Sequence, residues 1–360
     1  IAAVWESLDP AARATFGREG KPLAAGERLV WPAQAATLRA VAAQGPGAFY
    51  GGPLAQDMVR AVQAAGGKLS ADDLLHYTVR ELDPLRGEVF GHLALTMPAP
   101  SAGGAQLLAM AEWLGPWQAR SAAGAGYSAA PDYAHHALAE AMRRSFVLRL
   151  AYSSDSLAPR SVLDALYPPA ARNALAASFV PTTAAKTADL VALSAGKRLE
   201  SHENTSHVSI VDGDGLAVAS THTVNLLLGA GIVAPQSGVL LNNEMDDFSY
   251  SDKDSNAFGL AASQGNRPRP GARPVSSMTP TILMRGPASL PQGPWLVIGS
   301  PGGPRIVTAV AQVIFRVAFT GWALDDAVTR PRLHHQAWPD QVWVESGVEG
   351  DQLARHLTAF

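Results

Sequence analysis

The texture of the chain changes once, near residue 205, and that change limits the folds open to it. Up to about residue 200 the sequence is Ala-rich and helically periodic. The periodicity is clearest over residues 131–152, where Tyr133, Leu138, Met142, Phe146 and Leu150 recur at three- to five-residue steps. A second helical stretch over residues 54–65 runs into Gly66-Gly67, a common helix stop, and Ser70 with Asp73 ahead of Leu74-Leu75 reads as a capped helix start. Beyond 205 the pattern turns to β. Runs over 207–212 and 216–223 flank Asp212-Gly213-Asp214-Gly215, a strong hairpin signal, and 238–241 and 295–298 read as short apolar strands. The polar stretch 249–273 is too long for an ordinary connection and predicts a loop with work or disorder in it. After Ser300-Pro301-Gly302-Gly303 the spacing predicts a helix over 305–321. Helices, then strands, then helices imply layers of helix and sheet, not a regular βαβ alternation.

Composition removes several function classes. With 47% hydrophobic residues in 360, the chain can bury a sizeable core. Lys+Arg 28 against Asp+Glu 31 leaves a net charge of −3, with no basic face for nucleic acid or for a membrane surface. There is no Cys, hence no disulfide, thiolate metal site or Cys nucleophile. No apolar run reaches the roughly 18 residues of a membrane span. His135-His136, His334-His335 and Asp246-Asp247 lack HExxH or His-x-His spacing, and the Gly-rich segments form no phosphate-binding fingerprint, so neither metal nor cofactor is expected.

If Gly213-Asp214 is a two-residue hairpin loop, Asp212 pairs with Gly215, Thr205 lies opposite His222, and Thr223 sits one step along the ladder. Thr205, His207 and Ser209 then share one strand face. By itself a Thr-bearing hairpin needs no function, because Thr favours strands. The surrounding text changes that reading. Glu200-Ser201-His202-Glu203-Asn204-Thr205-Ser206-His207 leads the hairpin, and Asn225, Asn242-Asn243-Glu244-Met245-Asp246-Asp247-Phe248, Ser276-Ser277-Met278 and Gly299-Ser300-Pro301-Gly302-Gly303 follow in order. Met97-Pro98-Ala99-Pro100-Ser101-Ala102-Gly103-Gly104 lies upstream and Pro331-Arg332-Leu333-His334-His335-Gln336 downstream. Over essentially its whole length the chain resembles the γ-glutamyltransferase (γ-glutamyl transpeptidase) family.

The resemblance implies an α+β fold, the four-layer αββα sandwich of N-terminal nucleophile hydrolases. It implies autoproteolysis between Asn204 and Thr205, after which the new amino-terminal Thr205 is the nucleophile and its own α-amino group the base. An α-amino group, with a pKa of roughly 7.8 against about 10.4 for Lys, has about 400-fold more neutral base at pH 7. By the same resemblance Thr223 orients the hydroxyl, and Gly302 and Gly303 form the oxyanion hole. Asn225, Glu244 and Asp247 hold the substrate α-ammonium, and Ser276 and Ser277 its α-carboxylate. Phe258 lies in a lid over the pocket, where many bacterial members have a Tyr. Phe keeps the apolar cover but cannot donate a hydrogen bond.

The family's upstream arginine motif has no match here, and the strands that close the family's sheet are missing beyond Phe360. The expectation is a chain truncated at both ends, with residues 1–204 part of a large subunit and 205–360 most of a small one, intertwined in one domain and cut from one precursor. Implied substrates are glutathione and other γ-glutamyl compounds, with water, amino acids or peptides as acceptors. The implied location is periplasmic or secreted. Two alternatives stand beside this reading. One is a cephalosporin or glutaryl acylase of the same superfamily, whose substrates lack the α-ammonium that Asn225, Glu244 and Asp247 suit. The other is an unprocessed, non-catalytic homologue.

Overall fold

The computed structural model describes residues 1–122, 131–155, 160–190, 203–251, 255–358 and 360. They fall into two compact units: Ile1–Glu81 with His202–Asn204 and Thr223–Glu244, and Leu82–Ser201 with Thr205–His222 and Met245–Phe360.

The first unit is built on α1 (Pro10–Phe16), α2 (Pro32–Gln44), α3 (Gly52–Ala64) and α4 (Ala71–Leu75). Local chemistry sets their ends. Asp9 caps α1 by accepting the Ala12 N–H at 2.6 Å, with Pro10 in the first turn. After α3 the N–H groups of Gly66 and Gly67 return to the carbonyls of Gln63 and Val62 at 3.0 and 2.9 Å, with Gly66 at φ +86. Ser70 and Asp73 form the expected capping box on α4. Leu8, Ala12, Phe16 and Val233 make a buried cluster against which Trp5, Trp31 and Leu228 pack.

Side chains of α2 and α3 fasten segment 223–244 to these helices. Asp57 of α3, 2% exposed, accepts the N–H groups of Gln236 and Ser237 at 3.0 and 2.8 Å and the Ser237 hydroxyl at 2.9 Å. Thr37 of α2 donates to the Ser237 carbonyl at 2.6 Å. The expected strand over 238–241 reduces to a single bridge between Val233 and Leu240. Gly238 turns the chain at φ +68, where a Cβ would overlap the backbone at Gln34, so no longer ladder forms.

The second unit carries β1 (Leu85–Val89), β2 (His92–Thr96), α5 (Gly103–Ala122), α6 (Pro131–Tyr152), β5 (Thr281–Met284), β6 (Pro294–Ile298) and α7 (Arg305–Ile314). Two further strands, β3 (Glu203–Val211) and β4 (Ala217–Leu226), form a separate two-stranded sheet. The four-stranded sheet has the order β1-β2-β5-β6, antiparallel throughout. The β1–β2 hairpin falls in the stretch expected to be helical. It turns on Phe90 and Gly91, at φ +49 and +81, and the Phe90 ring is held 5.6 Å from that of Phe315. Helix α6 spans the expected residues, and α7 continues into a π-helical turn, Phe315–Phe319, in place of a straight run to 321.

Helices α5, α6 and α7 pack together, and α6 is buried nearly all round. Its charges are paired accordingly: Glu140, 1% exposed, bridges Arg143 and Arg144, and Arg144 Nη2 donates to the Ser178 carbonyl at 3.0 Å.

At the β3–β4 turn the Asp212 N–H donates to the Leu216 carbonyl at 3.0 Å, and Gly215 takes φ +85. The loop therefore has three residues, not two, and every pairing along the ladder shifts by one. Asp212 is the physical cause: its Oδ1 accepts the N–H groups of Asp214 and Leu216, both at 2.9 Å, which favours the longer loop with a left-handed Gly. His207 faces Thr221, with Nδ1 and Oγ1 2.8 Å apart, and the expected placement of Thr205 opposite His222 is off by one residue.

Candidate active site

Besides Asn204, three expected site residues lie in the first unit. Thr223 Oγ1 accepts the Asn225 N–H at 2.8 Å. Asn225, 4% exposed, stands at φ +74, a left-handed conformation that Asn tolerates better than most residues, and its Nδ2 donates to the Asn243 carbonyl at 3.1 Å. Asn243 answers with its own Oδ1, which accepts the Leu226 N–H at 3.0 Å. These bonds bring the end of β4 against the 242–244 turn and place Glu244 beside Asn225's segment. Burial pushes the Glu244 carboxyl above its ordinary value.

The other described candidates lie in the second unit. Thr205 is in β3, the residue after Asn204. The Asn204 side chain lies outside the described part. Two residues along, the His207 ring covers Gly299, where any Cβ would overlap it, so β3 rests against the strand end leading into Pro301-Gly302-Gly303. Gly302 and Gly303 take φ +125 and +51, and their carbonyls receive the first N–H groups of α7 at 2.9 and 3.1 Å. Their own N–H groups make no hydrogen bond among the described residues. The Phe258 ring lies over Gly303, 2.9 Å from where a Cβ would be.

Asp247 Oδ1 accepts Asn256 Nδ2 at 3.1 Å, and its carbonyl accepts Asn266 Nδ2 at 2.7 Å. Asn256 Oδ1 in turn accepts the N–H groups of Phe258 and Leu260, both at 3.1 Å, which curls the tip of the expected lid. Beside Asp247 is a cavity of about 110 Å³ lined by Arg149, Asp247, Tyr250, Asn256 and Asn266 among others. Ser276 and Ser277 sit in an irregular segment with no helix after it, and Ser276 Oγ accepts the Met278 N–H at 3.1 Å.

Three residues of this constellation were not foreseen from sequence. Arg149 of α6, 6% exposed, donates to the Ser276 carbonyl at 3.1 Å and to that of Val275 at 3.2 Å; burial lowers its pKa, and Tyr167 and then Asp247 oppose that shift. Ser101 donates to the Met278 carbonyl at 2.6 Å, and the neighbouring Ala102 N–H donates to that of Ser276 at 3.0 Å. Gly103 leaves room for Thr279, which makes the Met97–Gly104 motif a socket for the Ser276–Ser277 segment. Gln336 donates to the carbonyls of Phe258 and Gly259, both at 3.2 Å. The one sequence signal for Ser101 and Gln336 is their place in the 97–104 and 331–336 motifs, and Arg149 has none.

The His pair is accounted for inside the core. His334 lies between Thr308 Oγ1 at 2.8 Å and Gln336 Oε1 at 3.0 Å, and burial lowers its pKa to about 3. Burial takes His335 to about 4, with Asp340 at 3.3 Å opposing that shift.

A family model described as gamma-glutamyltranspeptidase matches residues 1–360. The chain belongs to the γ-glutamyltranspeptidase family. Glutathione hydrolase proenzyme of Escherichia coli (strain K12) is 35% identical over 342 residues, covering 95% of this chain and 57% of the relative. The Pseudomonas aeruginosa protein of the same name is 37% identical over 328 residues, covering 91% and 56%. This member thus spans a little over half the length of those curated relatives. Among solved structures, cephalosporin acylase from Bacillus halodurans superposes with a TM-score of 0.76 at 20% identity, over 99% of this chain and 61% of that one. At that identity the likeness concerns fold alone. The α+β fold class expected from sequence holds for this γ-glutamyltranspeptidase family member, whose described residues mix helices with antiparallel sheets.

Proposed function

We propose that this chain carries the catalytic core of a self-processing γ-glutamyl transferase and hydrolase. The observation that carries the reading is the packing, within one unit, of His207 on the Thr205 strand against Gly299, three residues ahead of Gly302-Gly303, whose N–H groups make no hydrogen bond among the described residues and whose positive φ values suit a receptor for oxyanions. In maturation the Thr205 hydroxyl attacks the Asn204 carbonyl, the acyl group shifts from N to O, and water hydrolyses the ester, leaving segments 1–204 and 205–360. The freed α-amino group then takes the Thr205 hydroxyl proton as the oxygen attacks a γ-glutamyl amide. The Gly302 and Gly303 N–H groups hold the tetrahedral oxyanion, the protonated amine passes its proton to the leaving nitrogen, and water or an amino acid or peptide amine resolves the ester. Removing one such donor typically costs roughly 100- to 1000-fold in rate.

In this reading Thr223, whose oxygen already accepts the Asn225 N–H, donates to the nucleophile. Asn225, Glu244 and Asp247 receive the α-ammonium, and Ser276 and Ser277 the α-carboxylate. The three ammonium-binding candidates favour a glutamyl donor over an acylase substrate. Glutathione is the expected natural donor, by analogy with the named relatives. Among the described residues no helix is long and apolar enough to cross a membrane, and a periplasmic or secreted location is proposed from the family.

Intact-mass spectrometry after incubation at neutral pH tests the reading. Two fragments meeting at Asn204/Thr205 are expected, with release of a chromogenic amine from a γ-glutamyl anilide. Thr205→Ala should give one uncut mass and no turnover; an unchanged fragment pattern and activity in that variant would sink the proposal.

A further inference from the structure

The tip of the 255–261 loop, which covers Gly303, is gripped from two sides. On the inner side Asp247 holds Asn256, and Asp246 Oδ2 accepts the Ala257 N–H at 2.9 Å. On the outer side stands Gln336, 8% exposed, whose Nε2 lies 3.2 Å from each of the carbonyls of Phe258, Gly259 and Trp338. Three acceptors around one nitrogen fix the amide orientation, because a flipped amide would aim its oxygen at three carbonyls. Gln336 Oε1 must then accept from His334 Nε2, which sets the His334 tautomer and makes Nδ1 the acceptor for the Thr308 hydroxyl. The result is a directed chain from α7 through Thr308, His334 and Gln336 to the loop tip. Phe258 has no hydroxyl, so its side chain offers no polar hold and the tip is held through its backbone.

We infer that Gln336 is a positioning residue that latches the 255–261 loop over the Gly302-Gly303 turn. Its two loop bonds go to main-chain carbonyls, so a ligand at Asp247 that displaced Asn256 would leave the outer tether in place. The importance of the latch for turnover rests on the proposed γ-glutamyl function; the tether itself does not. The latch would keep the loop seated while substrate exchanges, and its loss should weaken donor capture more than the chemical step.

The test uses the full chain with Gln336→Leu, which removes the donor, and Gln336→Glu, which replaces donor by acceptor near neutral pH. Amide hydrogen exchange is followed over 257–261, with 281–284 of β5 as internal reference, and KM and kcat are measured on a γ-glutamyl anilide. The expected result in both variants is at least tenfold faster exchange in the loop with β5 unchanged. Donor KM should rise several-fold and kcat change less than twofold. Unchanged loop exchange overturns the latch. Equal acceleration of β5 overturns it too, since Gln336 would then be holding the core. A kcat loss with unchanged KM also contradicts it. If wild-type chain shows no γ-glutamyl turnover while the loop alone loosens in the variants, the latch stands and the proposed function falls.

Discussion

Replacing Arg149 with Met tests whether one buried cation holds the Ser276–Ser277 segment in place. Met keeps most of the apolar stem and removes the guanidinium, which donates at 3.1 Å to the Ser276 carbonyl and at 3.2 Å to that of Val275. The two carbonyls fare differently. Ser276 keeps the Ala102 N–H at 3.0 Å, whereas Val275, 2% exposed, has no other donor among the bonds described. An orphaned buried acceptor costs about 1–3 kcal/mol, and a lost bond from a charged donor about 1.5–3 kcal/mol. Offsetting this, the desolvation that depresses the Arg149 pKa is relieved in the variant. The expected net loss of stability is about 3 kcal/mol, toward the low end of the 3–5 kcal/mol seen when one partner of a buried pair is removed. Urea unfolding measures it, and KM for a γ-glutamyl anilide should rise at least tenfold because the Ser276–Ser277 segment loosens. Arg149→Lys, with charge but no fork, should recover less than half of either loss. A Met variant within about 1 kcal/mol of wild type, with unchanged KM, would refute the reasoning.

Asp57→Ala strips three bonds from Gln236 and Ser237, and a loss of about 3–5 kcal/mol is expected, with faster hydrogen exchange at 233–241. Gly103→Ala drives a methyl into Thr279 and the Ser277 carbonyl and should cost about 1–3 kcal/mol together with activity, whereas Gly47→Ala, where a Cβ meets nothing within 4 Å, should be neutral or slightly stabilising by the same unfolding assay. His334 and His335 are held neutral at pKa values of about 3 and 4, so below the ordinary value of 6.5 the unfolded chain binds more protons than the folded one. Their contribution is whole above that pH and is lost as pH falls. Urea unfolding at pH 7, 6 and 5 should show a drop of about 2 kcal/mol between the last two, and a flat profile would contradict the neutral assignment.

The sequence was legible wherever structure is decided within a few residues. The capping box of Ser70 and Asp73, the Gly66-Gly67 stop, helix 131–152 and the Gly302-Gly303 turn each depend on neighbours no more than a turn or two away. The ordered motifs also sufficed for the family. Even so, a short-range choice escaped at the Asp212 turn, where one side chain accepting two N–H groups moved the register of the whole hairpin. The 85–96 hairpin escaped because its turn puts Phe90 at positive φ, which no local rule favours and which ring packing on Phe315 sustains.

The site's supports were hidden for a different reason. Asp57 meets Ser237, Arg149 meets Ser276 and Gln336 meets Phe258 across 180, 127 and 78 residues of chain. In sequence each is an ordinary polar side chain on a helix or in a loop. The free energy of a buried polar group depends on whether a partner arrives within about 3 Å, and that is set only when distant elements pack. Residue types and their order determined the family and the candidate chemistry; the tertiary structure alone decided which buried groups hold that chemistry in place.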